Sequence, residues 1–182
     1  MNKLLYAVAT GLVGAVVLHI IIILSLPHYT GRDAYTRVKA EGNSNRFYAL
    51  ADKPDTAGLA NGDPYLKVAV CHFDVERRPL RLLAPRGPAF WSLALYDANS
   101  NEIFSMNDRT SVSGNLDVLV ANPVQMARIR KTPVAALTES IIVEAKSNTG
   151  YAVLRAMAPQ ASLEEQAASF LKDAVCAPVE GL

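Results

Sequence analysis

The chain begins with a long apolar segment, Leu4 to Leu26, that contains no Asp, Glu, Lys or Arg. A helix rises about 1.5 Å per residue, so this segment can span the roughly 30 Å hydrocarbon core of a bilayer. A cleaved secretory signal has a shorter apolar stretch and a small-x-small cleavage site, whereas Ser25 to Tyr29 offer no Ala-x-Ala sequence. The pattern therefore predicts one uncleaved transmembrane helix over residues 4–26.

Small side chains recur along one face of this predicted helix. Ala7, Gly11 and Ala15 follow one another at four-residue intervals, and small residues at this spacing let two helices approach closely in lipid. The stripe predicts that the anchor associates with a second helix, from another copy or from another protein. Small residues are also common in such helices, so ordinary anchor composition is the open alternative.

Residues 27–62 have the pattern of a neck that connects the anchor to a folded domain. Gly31, the run Gly42 to Ser44 and the stretch from Gly58 to Gly62 interrupt the segment. Between these breaks the pattern predicts two short helical pieces, over 33–39 and 46–51.

From residue 65 onward, apolar positions occur with the period of β-strands. Strands are predicted over 66–73, 80–84, 90–96, 102–106, 116–121, 141–145 and 151–157. Asn122-Pro123 provides an N-cap and a first-turn proline for a helix over 124–131. Ser162 and Glu165 have the spacing of a capping box for a closing helix over 163–175. We expect an α+β fold: a mainly antiparallel, sandwich-like β domain over 63–182, with a capping C-terminal helix, on one N-terminal transmembrane helix.

Length and charge limit the classes of partner. The residues after the anchor suffice for one domain with a core and are too few for two ordinary domains. The 18 Lys and Arg residues nearly balance the 17 Asp and Glu residues, which argues against a nucleic-acid partner.

Two cysteines, Cys71 and Cys176, lie far apart in the sequence. Their even number and their places near the two ends of the predicted domain favour a disulfide bond between them. Two buried thiols that never meet are the other possibility, because a bridge requires Cα atoms within about 7 Å.

The orientation of the anchor follows from its flanking charges and from these cysteines. Lys3 and the amino terminus favour a cytoplasmic start over residues 1–3, although Arg32, Arg37 and Lys39 follow on the other side. Because a disulfide needs an oxidising compartment, we expect the domain to lie outside the cytoplasm.

Motifs of known catalytic chemistry are missing from the sequence, which has no Gly-rich phosphate loop, Gly-x-Ser-x-Gly elbow or His-Glu-x-x-His helix. We therefore assign no catalytic residue, metal ligand or cofactor. Candidate ligand-binding residues are His72 and Asp74, which share one face of a strand, together with Arg77 and Arg81, which could bind an anionic group. A hydrogen-bonded strand histidine and a solvated turn are the alternative interpretations.

Several segments together resemble a known family. They are Asp63-Pro64-Tyr65, the strand Val70 to Asp74, the strand Phe90 to Leu93 with its hairpin partner Glu102 to Ser105, and the closing Ala174-Val175-Cys176. In strand pattern and punctuation, residues 63–176 are similar to the short, membrane-anchored bacterial branch of the domain of unknown function 1254 family.

This resemblance implies a predominantly β domain of the bacterial envelope, at the periplasmic face of the inner membrane. Longer relatives join this domain to a second one, the domain of unknown function 1214, so a separate chain with that companion domain is the expected partner. The preferred function is then a non-enzymatic envelope component that binds or docks. The alternative is one part of a carbohydrate-acting envelope enzyme that a partner chain completes.

Overall fold

The computed structural model describes residues 2–30, 33–87, 90–132 and 137–180; over 27–30 it describes the main chain alone. Arg32, used in the charge comparison above, lies outside these residues. The described elements are α1 (Asn2–Thr30), α2 (Ala34–Ala40), β1 (Tyr48–Ala49), β2 (Leu66–Asp74), β3 (Leu80–Ala84), β4 (Trp91–Asp97), β5 (Glu102–Asn107), β6 (Leu116–Ala121), α3 (Pro123–Lys131), β7 (Ile141–Glu144), β8 (Thr149–Met157), α4 (Ala161–Asp173) and β9 (Val175–Pro178).

The predicted anchor is a single helix, α1. Its segment Asn2–Leu26 is long and apolar enough to cross a membrane. α2 begins only four residues after α1 ends, and Asp33 caps it by accepting a 2.7 Å hydrogen bond from the N–H of Thr36. A chain extends at most about 3.6 Å per residue, so α2 lies within roughly 14 Å of the end of the anchor helix.

Two sheets form the β domain, which has the predicted α+β class. One sheet has five strands in the order β1-β2-β8-β4-β5, and the other has four strands in the order β7-β6-β3-β9. Every neighbouring pair is antiparallel except β6 and β7, which are parallel. A parallel pair needs a crossover connection, and α3 lies within the connection from β6 to β7.

The two sheets pack face to face with their strands aligned. The indole Nε1 of Trp91, at the start of β4, donates to the carbonyl of Gly114 just before β6. At the other end, the side chain of Asn122, after β6, donates to the carbonyl of Val75, after β2. Contacts at both ends indicate an aligned sandwich.

Alternation along the strands sends one set of apolar side chains between the sheets. Ala69, Cys71 and Phe73 of β2 are at most 1% exposed and belong to the same buried cluster as Leu80 and Leu82 of β3. The predicted disulfide is present: Cys71 of β2 is bonded to Cys176 of β9. It crosslinks the two sheets through the core.

α4 contributes to this core, as the prediction of a capping helix requires. Ala167, Phe170 and Leu171 lie in the inter-sheet cluster, and Phe170 packs against Trp91 with ring centroids 6.1 Å apart. The predicted capping box is wrong: the helix starts at Ala161, before Ser162, and its N-cap residue Gln160 makes no side-chain cap bond.

Two segments differ from their predicted secondary structure. The helix predicted over 46–51 is instead β1, where Tyr48 and Ala49 pair with Val70 and Ala69. The closing helix, expected to reach residue 175, ends at Asp173, and Cys176 lies on β9 opposite Leu82. In both cases, pairing with a strand distant in sequence determines a short segment whose local pattern is weak.

The predicted neck packs on the outer face of the five-stranded sheet. Val38 of α2 is only 4% exposed and clusters with Val70 and Tyr151. The ring of Tyr151 is stacked on Tyr96 of the neighbouring strand at 5.0 Å. The segment between α1 and β2 therefore adds a small second core to the domain.

Candidate binding surfaces

His72 lies on the outer face of the five-stranded sheet, because its neighbour Cys71 points into the core. It is 8% exposed, and the segment after α2 covers its strand, since the N–H of Asn45 donates to the His72 carbonyl at 2.9 Å. The imidazole Nδ1 is buried and has no hydrogen-bond partner within the described residues. Burial, and secondarily the positive charge of Lys39, lowers the pKa of His72 and so favours the neutral ring.

Asp74 and Arg77 follow His72 in the chain, at the end of β2 and in the turn after it. Asp74 is exposed at the end of β2, where its Oδ1 accepts a 2.8 Å hydrogen bond from the N–H of Glu76. Arg77 is exposed in the same turn. Asp74 therefore stabilises the turn that leads from β2 towards β3.

Arg81 lies on the opposite side of the molecule, facing outward from the four-stranded sheet. Its Nε and Nη2 donate to the two carboxylate oxygens of Asp117 at 3.0 and 2.7 Å. Ser140 donates to the same carboxylate at 2.9 Å. The hydrogen bond to Asp117 raises the pKa of Arg81, so the guanidinium is charged and held by this pair.

The structure does not bring the four predicted ligand-binding residues together. His72 and Arg81 face outward from different sheets, and Asp74 and Arg77 lie in an exposed turn. A role for each in binding a ligand stays a prediction. Within the described ranges, no group of three or more His, Cys, Asp or Glu side chains has the arrangement of a metal site.

Sequence reasoning missed the partners of Arg81. Asp117 is the only charged residue of β6, and a carboxylate in an otherwise apolar strand requires a cation or donors nearby. That pattern could have identified Asp117. Ser140 gave no comparable signal, because it lies just before β7 and reaches the pair only through the parallel pairing of β6 and β7.

The surface clefts of the described part of the domain include the following three. One of about 400 Å³ lies on the four-stranded sheet near Asp117 and Glu139. A second of about 310 Å³ lies on the outer face of β4 and β5, near Arg155. A third of about 570 Å³ lies between the neck, β2 and α4. None of the three is lined by a predicted ligand-binding residue.

Among the described residues, the two sheets end in β5 and β7 on one side of the sandwich and in β1 and β9 on the other. The disulfide places β9 over β2, so the sheet orders place β7 and β5 together on the other side. The N–H of Asn107 bonds to the hydroxyl of Thr110 and not to β4; by alternation, the N–H of Ser105 also points away from the sheet. The N–H of Ala145 bonds to β6, so the N–H of Ile142 points outward from β7. We call β5 and β7 the open side.

Two solved structures share this fold. The VPA0106 protein from Vibrio parahaemolyticus matches 85% of this chain at 15% identity and a TM-score of 0.60. A putative uncharacterized protein from Burkholderia cenocepacia matches 81% of this chain at 12% identity and a TM-score of 0.50. This chain covers 33% and 41% of those two proteins, so both are much longer.

No curated protein matches the chain. The model of one protein family matches residues 44–178, a range that includes β1 and ends at β9. The match begins inside the predicted neck, in agreement with the packing of that segment on the sheet. Since it spans most of the sequence, the chain belongs to the family described as protein of unknown function (DUF1254).

Proposed function

We propose that this chain is a single-pass protein of the bacterial inner membrane whose periplasmic β domain docks onto a second envelope protein. The partner we favour is a chain that carries the companion domain, the domain of unknown function 1214. The role is non-enzymatic: the domain binds its partner and keeps it at the membrane.

The location is supported by the anchor and the disulfide. α1 is long and apolar enough to span a membrane, and the Cys71–Cys176 bond suits an oxidising compartment outside the cytoplasm. A domain placed in the reducing cytosol would lose that crosslink.

The docking role rests chiefly on the open side. Exposed strand edges present unpaired N–H and C=O groups to a partner strand, and proteins usually cover or shorten them. Here β5 and β7 both end a sheet on the same side, and β5 has six residues, whereas the edge strand β1 on the other side has only two. The two solved relatives are much longer than this chain, which supports the idea that such a domain works together with additional protein.

The alternative function is a carbohydrate-acting enzyme completed by a partner chain. It would require His72, Asp74 and the arginines to converge on a cleft open to water. The described residues place His72 and Arg81 on different sheets, and none of the four residues lines the three clefts. Docking is therefore the function that the geometry supports best.

Reporter fusions test the location. A reporter enzyme active only in the periplasm, fused after residue 182, should be active, while a cytoplasm-only reporter at the same position should be silent. The reverse pair of results would overturn the proposed orientation.

Edge-blocking substitutions test the docking surface. Ser105→Pro and Ile142→Pro each remove an N–H that points away from the sheet, so the ladders to β4 and β6 keep their hydrogen bonds. Both variants should lose co-purification of the companion-domain protein from solubilised membranes. Ser105→Thr keeps the N–H and should retain it. Equal recovery with all variants, or no companion with the wild type, would contradict the proposal.

A further inference from the structure

The groove between the neck, β2 and α4 combines an apolar floor with an acidic rim. Val68, Ala168 and Leu171 contribute to the floor of this cleft of about 570 Å³. The rim carries two exposed carboxylates, Glu164 and Glu165, on one face of α4.

The charges of the rim do not cancel. Asp52 and Lys67 also line the groove, but they pair with each other at 3.5 Å. Neither Glu164 nor Glu165 belongs to an ion pair within the described residues. The groove therefore has an excess of two negative charges, which disfavours an anionic lipid surface and favours a basic protein surface.

α3 offers a surface of complementary chemistry. Its inner face, Met126 and Ile129, is buried in a small cluster on the outside of the four-stranded sheet. The opposite face presents four exposed residues at helical spacing: Val124, Ala127, Arg128 and Lys131. Val124 is 63% exposed, and α3 contains no acidic residue. This face is apolar at its start and basic at its end.

α3 cannot fill the groove of its own chain. Its N-terminus is held by the capping box between Asn122 and Gln125, and Gln125 donates at 2.7 Å to the carbonyl of Val75. It is fixed against β6, whereas the groove lies beside the first residues of β2 and α4. Any contact between the two surfaces is intermolecular.

We propose that the groove binds the exposed face of α3 from a second copy of the chain. Val124 and Ala127 cover the apolar floor, and Arg128 and Lys131 pair with Glu164 and Glu165. The contact joins two different patches, so each copy uses its groove for one neighbour and its α3 for another, which builds a ring or a row of copies at the membrane. It involves neither edge of the open side and so goes beyond the proposed docking role.

Cysteine crosslinking between two full-length copies tests the contact. The two native cysteines are bonded to each other, so Ala168→Cys in one copy and Ala127→Cys in another add one free thiol each. Mild oxidation of membranes containing both should give a disulfide-linked heterodimer. Ala168→Cys with Glu76→Cys, which lies in an exposed turn, is the control. A yield no higher than the control pair would overturn the proposal.

Charge reversal identifies the occupant. Glu164→Lys with Glu165→Lys, added to both crosslinking copies, should remove the 168–127 product by placing like charges together. Arg128→Glu with Lys131→Glu should do the same. Copies that carry all four changes should give the 168–127 product again, because opposite charges then face each other once more. If the fourfold variant stays uncrosslinked while its 71–176 disulfide forms normally, the self-contact is excluded.

Discussion

At the scale of single residues, His72 couples stability to pH. Its buried imidazole has a lowered pKa, so the unfolded chain takes up a proton in a range where the folded domain does not. A group of this kind removes stability as the pH falls below its unfolded pKa of about 6.5, by at most about 1.4 kcal/mol per pH unit.

We predict that His72→Gln flattens this pH dependence. Between pH 7.5 and 5.5, the wild-type protein in detergent should lose more unfolding free energy than the variant. Burial and neighbouring Asp55 raise the pKa of Glu41, which favours the folded state in acid, but this effect is common to both proteins and cancels in the difference. Denaturant unfolding at several pH values provides the measurement, and identical slopes would contradict the interpretation of His72.

Gly150 is predicted not to tolerate even one added methyl group. A Cβ at this position of β8 would collide with the main-chain oxygen of Tyr96 and lie 2.8 Å from the ring of Phe73. Gly150→Ala should therefore destabilise the domain by about 1–3 kcal/mol, as overpacking does. Gly62→Ala meets no atom within 4 Å and is the matched control. Equal melting temperatures for the two variants would refute the prediction.

Residue-level predictions from sequence succeeded where the strand period alone decides orientation. The two-residue period predicts that His72 and Asp74 share one face of β2, and in the structure this is the outer face, because Ala69, Cys71 and Phe73 lie in the core. The Arg81–Asp117 pair was missed because it joins β3 to β6, and a strand pattern does not specify which strands are neighbours. The acidic groove depends in the same way on how the neck and α4 meet.

At the scale of elements, the anchor stripe gives the next test. A Cβ added at Gly11 would meet no other side chain within 4 Å, so Gly11→Ile can block close helix approach without disturbing the fold. It should reduce self- or partner association in a membrane two-hybrid assay, whereas Leu12→Ile, on another face, should not. Equal signals from the two variants would mean that Ala7, Gly11 and Ala15 do not form an association surface.

Elements with strong local signals were predictable from sequence, whereas β1 and β9 were not. β3 and β6 have the predicted bounds, and α3 has the predicted cap at Asn122, because their periodic and capping signals are local. β1 and β9 have two and four residues, and each exists only because a neighbouring strand supplies hydrogen bonds. α4 starts at Ala161, two residues before the predicted start, because the predicted capping box does not form.

At the scale of the whole molecule, the disulfide joins the two sheets across 105 residues. Closing a loop of about 100 residues stabilises a fold by up to about 4.7 kcal/mol in the entropic model. Cys71→Ser and Cys176→Ser should therefore cost similar amounts of unfolding free energy, and the double variant little more, because each change removes the same crosslink. Additive losses would show that the two sulfur atoms stabilise the core separately.

Photo-crosslinking in living cells tests whether the domain docks through its open side outside the cytoplasm. A photoreactive residue at Ser105, on β5, should capture the companion-domain protein, identified by mass spectrometry of the crosslinked band. The same residue at Asp173, exposed at the end of α4, should not. Capture from Asp173 but not from Ser105, or no companion from either position, would contradict docking through the open side.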